Sequence, residues 1–83
     1  MKLLYFAWVR QKVGTPEEDV ALPADIRDVA SLIDWLKTRG EGYDAAFADL
    51  KLIRAALDQE HVSLDAMIGN AREVAFFPPV TGG

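Results

Sequence analysis

The chain has 83 residues, a formal net charge of −4 at pH 7 and no cysteine, which suits one small acidic domain and is too little for a second core. The lack of cysteine excludes disulfides, thiolate metal sites, iron–sulfur clusters and a cysteine nucleophile, and a single histidine cannot build the usual zinc sites. The negative charge argues against nucleic-acid binding, which needs clustered lysine and arginine, and favours a basic protein partner.

The N-terminal segment is apolar and rich in strand-forming residues. It leads directly into Arg10 without the small-residue cleavage pattern of a secretion signal, and no apolar run approaches the roughly 20 residues of a membrane span. We therefore expect a cytoplasmic protein without membrane association, with a first strand over residues 2–9.

The predicted first strand has two different faces. One carries Leu3, Tyr5, Ala7 and Val9. The other is bounded by charged residues and is expected to be the outer face: Lys2, Leu4, Phe6, Trp8 and Arg10. Gly14-Thr15-Pro16 interrupts the chain, and residues 17–22 are predicted to return as a second strand.

The best-defined element is a helix between Asp28 and Gly40. Asp28 fits an N-cap, and Gly40 can take the left-handed conformation that closes a helix after the basic Lys37 and Arg39. Trp35 lies off the apolar stripe and is expected to cover the edge of the core. The stripe itself follows the spacing i, i+3, i+4, i+7: Val29, Leu32, Ile33 and Leu36.

The second half of the chain is predicted to complete the sheet. Residues 41–50 are typical of an irregular connection with a helical turn, and three side chains are expected to plug the core: Tyr43, Phe47 and Leu50. Strands are predicted over 51–57, 61–62 and 72–77. This order fits an α+β fold over residues 1–79, a ubiquitin-like β-grasp with one main helix on one face of a mixed sheet.

The sheet face opposite the helix has no covering layer in this arrangement. Leu4, Phe6 and Trp8 would lie on it, and one of Phe76 and Phe77 joins them because neighbours in a strand point to opposite faces. So large an exposed aromatic group is typical of a partner surface. The alternative is an inverted assignment, in which Trp8 caps the core at a sheet edge.

The C-terminal segment from Val74 to Gly83 carries no charged side chain. Pro78-Pro79 favours polyproline geometry, which would direct a flexible tail of residues 80–83 away from the domain. Two final glycines make that tail thin enough to thread a tunnel and place the Gly83 carboxylate in another protein's active site. The carboxylate needs activation, and a separate ATP-using enzyme is expected to adenylate it, because the chain lacks a phosphate-binding glycine loop.

The ending EVAFFPPVTGG, together with Phe6-Ala7 and Val9-Arg10 before Gly14, resembles the small, sulfur-carrying subunit of molybdopterin synthase, the MoaD-like family. The resemblance spans the chain and implies that an E1-like enzyme adenylates Gly83, which then becomes a thiocarboxylate. It further implies that the large synthase subunit receives the tail and uses the sulfur to convert cyclic pyranopterin monophosphate into molybdopterin, within a heterotetramer. No cofactor or metal is expected in the domain itself.

The resemblance also assigns residues. Gly83 matches the thiocarboxylated glycine, and the threading residues are Gly82, Thr81 and Val80. The partner-binding candidates combine family positions with the predicted outer face: Phe6, Trp8, Arg10, His61 and Phe77. Three departures from the family pattern affect turns and the interface: Ala71-Arg72 for a frequent Gly-Asp, Asp58 for a frequent Asn, and His61 for a common apolar residue.

Two other functions remain open at this point. A ubiquitin-like protein modifier, or a sulfur carrier for thiamine or tRNA thiolation, would share the fold and the Gly-Gly end. A plain interaction domain with an inert tail is the third hypothesis. In each of these the chain alone is not expected to be an enzyme.

Overall fold

The computed structural model describes residues 1–79, which form a mixed sheet of five strands with three helices packed on one face. The strands are β1 (Lys2–Tyr5), β2 (Glu17–Asp19), β3 (Arg54–Leu57), β4 (Glu60–Val62) and β5 (Glu73–Phe77). The helices are α1 (Ala7–Val13), α2 (Val29–Lys37) and α3 (Glu41–Ala46), followed by a 3₁₀ turn at Leu50–Leu52.

Strand β5 lies at the centre of the sheet, whose order is β2-β1-β5-β3-β4. It runs parallel to β1 and antiparallel to β3, while β2 and β4 pair antiparallel at the two edges. Because β1 and β5 are parallel, the chain between them must cross over the sheet, and α2 lies in that crossover. The fold is the predicted α+β, ubiquitin-like β-grasp.

The core lies between the inner face of the sheet and the helices. The predicted α2 stripe is fully buried, and Trp35 packs half-buried against the core. The sheet contributes alternate residues of its three central strands: Leu3, Tyr5, Ala55, Val74 and Phe76. Burial of each large apolar side chain contributes roughly 1.5–3 kcal/mol to the free energy of folding. The loss of conformational entropy on ordering the chain opposes this contribution.

Helix α2 begins as predicted and ends differently. The Asp28 carboxylate accepts the Ser31 backbone N–H at 2.8 Å, and the Ser31 hydroxyl accepts the Asp28 N–H at 3.3 Å, which forms a capping box. The predicted left-handed closure at Gly40 is wrong, because the backbone N–H groups of Thr38 and Arg39 already satisfy the last carbonyls. Gly40 instead has nearly extended backbone and precedes α3.

The prediction of one strand over residues 2–9 is wrong beyond Tyr5. The backbone of Ala7 takes a φ of +53°, which turns the chain out of the sheet and into α1. Trp8 and Arg10 therefore lie on a helix. Trp8 packs half-buried against the core from this helix and not at a sheet edge. The two predicted faces of β1 are confirmed, so the alternative of an inverted assignment is wrong.

The C-terminal half of α1 has features in the sequence that are typical of a helix. Val9 and Val13 are four residues apart and pack on the same core. Gly14 closes the helix with a φ of 97° and donates its N–H to the Arg10 carbonyl at 2.8 Å. At the N-terminal end, Phe6 makes no side-chain hydrogen bond to the helix. The sequence therefore offered no N-cap residue that would have indicated a helix instead of a strand.

Two further strands are shorter than predicted. The strand over 17–22 ends at Asp19, although Val20 still exchanges two backbone hydrogen bonds with Met1, at 2.9 and 3.1 Å. The strand over 51–57 begins at Arg54, because the 3₁₀ turn occupies the residues before it. The last two strands lie within one residue of their predicted ends.

The connection over residues 41–50 is more helical than predicted, since α3 occupies most of it. Phe47 is fully buried and Tyr43 packs against the core, as expected. Leu50 is 42% exposed and does not plug the core.

Candidate functional site

The outer face of the sheet, opposite the helices, carries the predicted partner surface. The strand register places Leu4, Ala75, Ala56 and His61 in one row across β1, β5, β3 and β4. The two central members are alanines, whereas their neighbours in the row are large. The row is therefore lowest at the centre of the sheet.

Ala56 and Ala75 form the floor of a depression that we call the alanine trough. It has a volume of about 480 Å³. Among residues 1–79 no further layer covers this face of the sheet. Its walls are Leu4, Phe6, His61 and Phe77.

Three of the predicted partner-binding residues meet at this trough. Phe76 is fully buried in the core, so its neighbour Phe77 is the one that emerges on the outer face, as strand alternation requires. The Phe77 ring lies 5.0 Å from the His61 ring, and Phe6 is 49% exposed. The structure thus brings Phe6, His61 and Phe77 together, while their role in binding a partner stays a prediction.

Trp8 and Arg10 do not line the trough. Trp8 packs against the core from α1, and Arg10 is exposed beside a separate depression that also contains Pro16. The error follows from the change of period: alternation over a strand puts Phe6, Trp8 and Arg10 on one face, but a helix rotates them apart.

The turn between β3 and β4 fixes one end of the trough. Asp58 and Gln59 have φ of 48° and 72°, the left-handed pair of a two-residue hairpin turn. The Asp58 carboxylate accepts the backbone N–H groups of Arg72 and Glu73 at 2.9 and 3.0 Å. This contact attaches the turn to the start of β5 and so aligns the two strands that supply the floor.

Two cationic side chains are register neighbours of residues that line the trough, although neither of them lines it. Lys2 lies beside Glu73 in the register, but its ammonium is 3.4 Å from the Glu17 carboxylate. Arg54, opposite Phe77, donates to the backbone carbonyl of Ile53 at 2.9 Å. Both cations therefore have acceptors outside the trough.

Sequence reasoning missed the floor and the polar end of the trough, namely Ala56, Ala75, Gln59 and Glu73. Alternation alone assigns a face to each residue within its own strand. It does not say which residues of β3 and β5 stand opposite each other, because that depends on register. The turn residues Asp58-Gln59, between the strands predicted over 51–57 and 61–62, were the available clue to it.

The predicted reactive and threading residues, Val80, Thr81, Gly82 and Gly83, lie outside the described residues. Strand β5 ends at Phe77 and leads through Pro78-Pro79 toward them. The segment that carries the predicted chemistry thus continues directly from the strand that lines the trough.

Residues 1–79 contain neither a membrane-spanning helix nor a metal-binding cluster. None of their helices has the length and apolar character needed to cross a membrane. The same residues contain no cluster of three histidine, aspartate or glutamate side chains placed to hold a metal ion.

The chain resembles known proteins over its whole length. The ThiS family profile matches residues 3–83. Over 83 residues the chain is 43% identical to the molybdopterin synthase sulfur carrier subunit of Escherichia coli (strain K12), and the match covers 100% of this chain and 99% of that protein.

Two solved structures share the fold. SAMP1 from Haloferax volcanii has a TM-score of 0.74 at 25% identity, with 100% of this chain and 98% of that chain covered. A putative molybdopterin converting factor, subunit 1, from Pyrococcus furiosus has a TM-score of 0.73 at 33% identity, with 95% of each chain covered. The chain therefore belongs to the ThiS family and to the family of molybdopterin synthase sulfur carrier subunits.

Proposed function

We propose that the chain is the sulfur-carrying small subunit of a molybdopterin synthase, and that it donates sulfur from Gly83 to convert cyclic pyranopterin monophosphate into molybdopterin. The observation that carries this proposal is the full-length, 43% identical relative with that role in its name. The exposed apolar trough supports it, because a carrier must dock on other proteins to be loaded and unloaded.

The proposed chemistry takes place at the Gly83 carboxylate. A partner E1-like enzyme uses ATP to form the acyl adenylate, with release of pyrophosphate. Sulfide then attacks the acyl carbon and displaces AMP, which leaves a thiocarboxylate. Its sulfur is a good nucleophile that can bond to the pterin substrate. Water then attacks the acyl carbon, which leaves the sulfur on the substrate and restores the Gly83 carboxylate. The chain serves as a sulfurtransferase only within the synthase complex.

The domain and the tail have separate tasks in this proposal. The outer face of the sheet docks on the large subunit, in a heterotetramer, while residues 80–83 reach the large subunit's active site. Gly82 and Gly83 suit a narrow passage because they lack Cβ atoms. The assembly works in the cytoplasm, and the domain itself binds no cofactor.

The mass of the intact chain tests the proposed chemistry. The chain is incubated with the E1-like enzyme, ATP and a sulfur source, and we expect a mass gain equal to the replacement of one oxygen by sulfur, located at Gly83 by fragmentation. A chain lacking Gly83 is the control and should gain nothing. An unchanged mass with an active E1-like enzyme, or adducts joining Gly83 to lysines of other proteins, would contradict the proposal.

A further inference from the structure

The alanine trough is deep enough to receive a side chain from another protein. Ala56 and Ala75 are 5% and 7% exposed, although no part of residues 1–79 covers the outer face. They are shielded because the rings of Phe6, His61 and Phe77 and the Leu4 side chain rise around them. A flat partner surface would therefore rest on the walls and leave the floor empty, which loses packing contacts.

One end of the trough carries an unmatched carboxylate. Glu73 is half-buried and lines the trough, and no ion pair within residues 1–79 includes it. Its register neighbour Lys2 directs its ammonium to Glu17 instead. Asp58, next to this end, uses its carboxylate to accept backbone N–H groups.

A purely apolar occupant fits the floor but not this end. It would remove water from the Glu73 carboxylate without giving it a partner, and an unpaired buried charge is costly. A long side chain with an apolar stem and a cationic end satisfies both parts, since its methylene groups lie on the alanines while its charge reaches Glu73. The net charge of −4 favours such a partner as well.

We propose that the trough receives one arginine or lysine side chain of the synthase large subunit, with its stem on Ala56 and Ala75 and its charge against Glu73. This inference rests on the proposed function and names the chemistry by which the docking partner is recognised. Specificity arises because a large subunit without that cation leaves Glu73 unpaired.

Calorimetric titration with the purified large subunit tests the inference. Ala75→Leu fills the floor and Glu73→Gln removes the charge at constant shape, and each should weaken binding by about tenfold or more. Glu73→Gln should also reduce the dependence of affinity on salt, since it removes an ion pair. Glu60→Gln, an exposed carboxylate on β4 that does not line the trough, is the matched control and should bind as the parent chain does.

The outcomes separate this inference from the proposed function. Suppose that the parent chain binds the large subunit and transfers sulfur, and that Glu73→Gln keeps the same affinity and salt dependence. This result would refute the pairing of Glu73 with a cation of the large subunit and leave the proposed function intact. A folded Ala75→Leu variant, with an unchanged melting midpoint and unchanged affinity, would refute occupation of the trough. Self-association of the parent chain that Ala75→Leu abolishes, with no effect on the large subunit, would show a second copy as the occupant. A parent chain that does not bind the large subunit at all would refute the proposed function itself.

Discussion

At the scale of single residues, Glu18 joins four parts of the fold. Its carboxylate accepts the hydroxyls of Tyr5 at 2.9 Å and Tyr43 at 2.6 Å, and the Arg39 guanidinium at 2.9 Å. Burial alone raises the pKa of Glu18, but these hydrogen bonds and the Arg39 charge outweigh it and hold the pKa below its ordinary value. Burial and the bond to Glu18 raise the pKa of both tyrosines.

Glu18 should make the stability of the chain depend on pH. A carboxyl whose pKa is lower in the folded state adds stability above its unfolded pKa, and this stability is lost as the pH falls through the folded pKa. We expect Glu18→Gln to lower the free energy of unfolding by about 1–3 kcal/mol at pH 7. The loss should be smaller at pH 3, because the stability that the charge contributes decreases once the pH is below the unfolded pKa. Urea denaturation at both pH values measures this, and an equal loss at both would contradict the role of the charge.

Residue-scale predictions from the sequence succeeded where one local pattern decides the outcome. The α2 stripe and the Asp28 cap depend on residues within two turns of each other, and both are confirmed. The Glu18 network was not predicted, because it joins β2 to residues up to 25 positions away. Such contacts arise only once the sheet and helices are assembled.

At the scale of elements, α1 and α3 pack so closely that their contact requires a glycine. A Cβ atom added at Gly42 would lie 2.3 Å from the backbone carbonyl oxygen of Lys12, a distance that backbone atoms cannot tolerate. Sequence reasoning found neither helix fully, since residues 7–9 of α1 were assigned to a strand and α3 to an irregular connection with a helical turn. The contact between the two helices therefore could not be predicted from the sequence.

Gly42→Ala tests this packing, because its expected effect on the free energy of unfolding is opposite to the usual effect of this substitution in a helix. Inside an exposed helix, alanine is favoured over glycine by about 1 kcal/mol. Here we expect the free energy of unfolding to fall by about 1–3 kcal/mol, because the helices must move apart. Gly40→Ala is the control, since its nearest neighbour would be a Tyr43 ring atom at 3.7 Å, an ordinary contact. Thermal and urea denaturation measure both variants, and a stabilised Gly42→Ala chain would refute the close contact.

At the scale of the whole molecule, the two faces of the sheet differ in what they contact. The inner face builds the core with the helices, and the outer face presents aromatic rings around two alanines. The alternation in β1 predicted this division, and the alternation in β5 required that one of Phe76 and Phe77 face outward without saying which. The predicted positions of Trp8 and Arg10 are wrong, because alternation between the two faces applies only within β1 and both residues lie in α1.

Arginine substitutions on the outer face should separate docking from folding. Phe6→Arg and Phe77→Arg each place a charge beside the trough, where a docked partner removes water, so we expect affinity for the large subunit to fall by about a hundredfold. The circular dichroism spectrum should not change, because neither ring belongs to the buried core. Met67→Arg is the matched control, since Met67 is 64% exposed and lines a different depression. If Met67→Arg weakens docking as much as the two phenylalanine variants do, the outer face is not the docking surface, and the separation of the two sheet faces into core and interface fails with it.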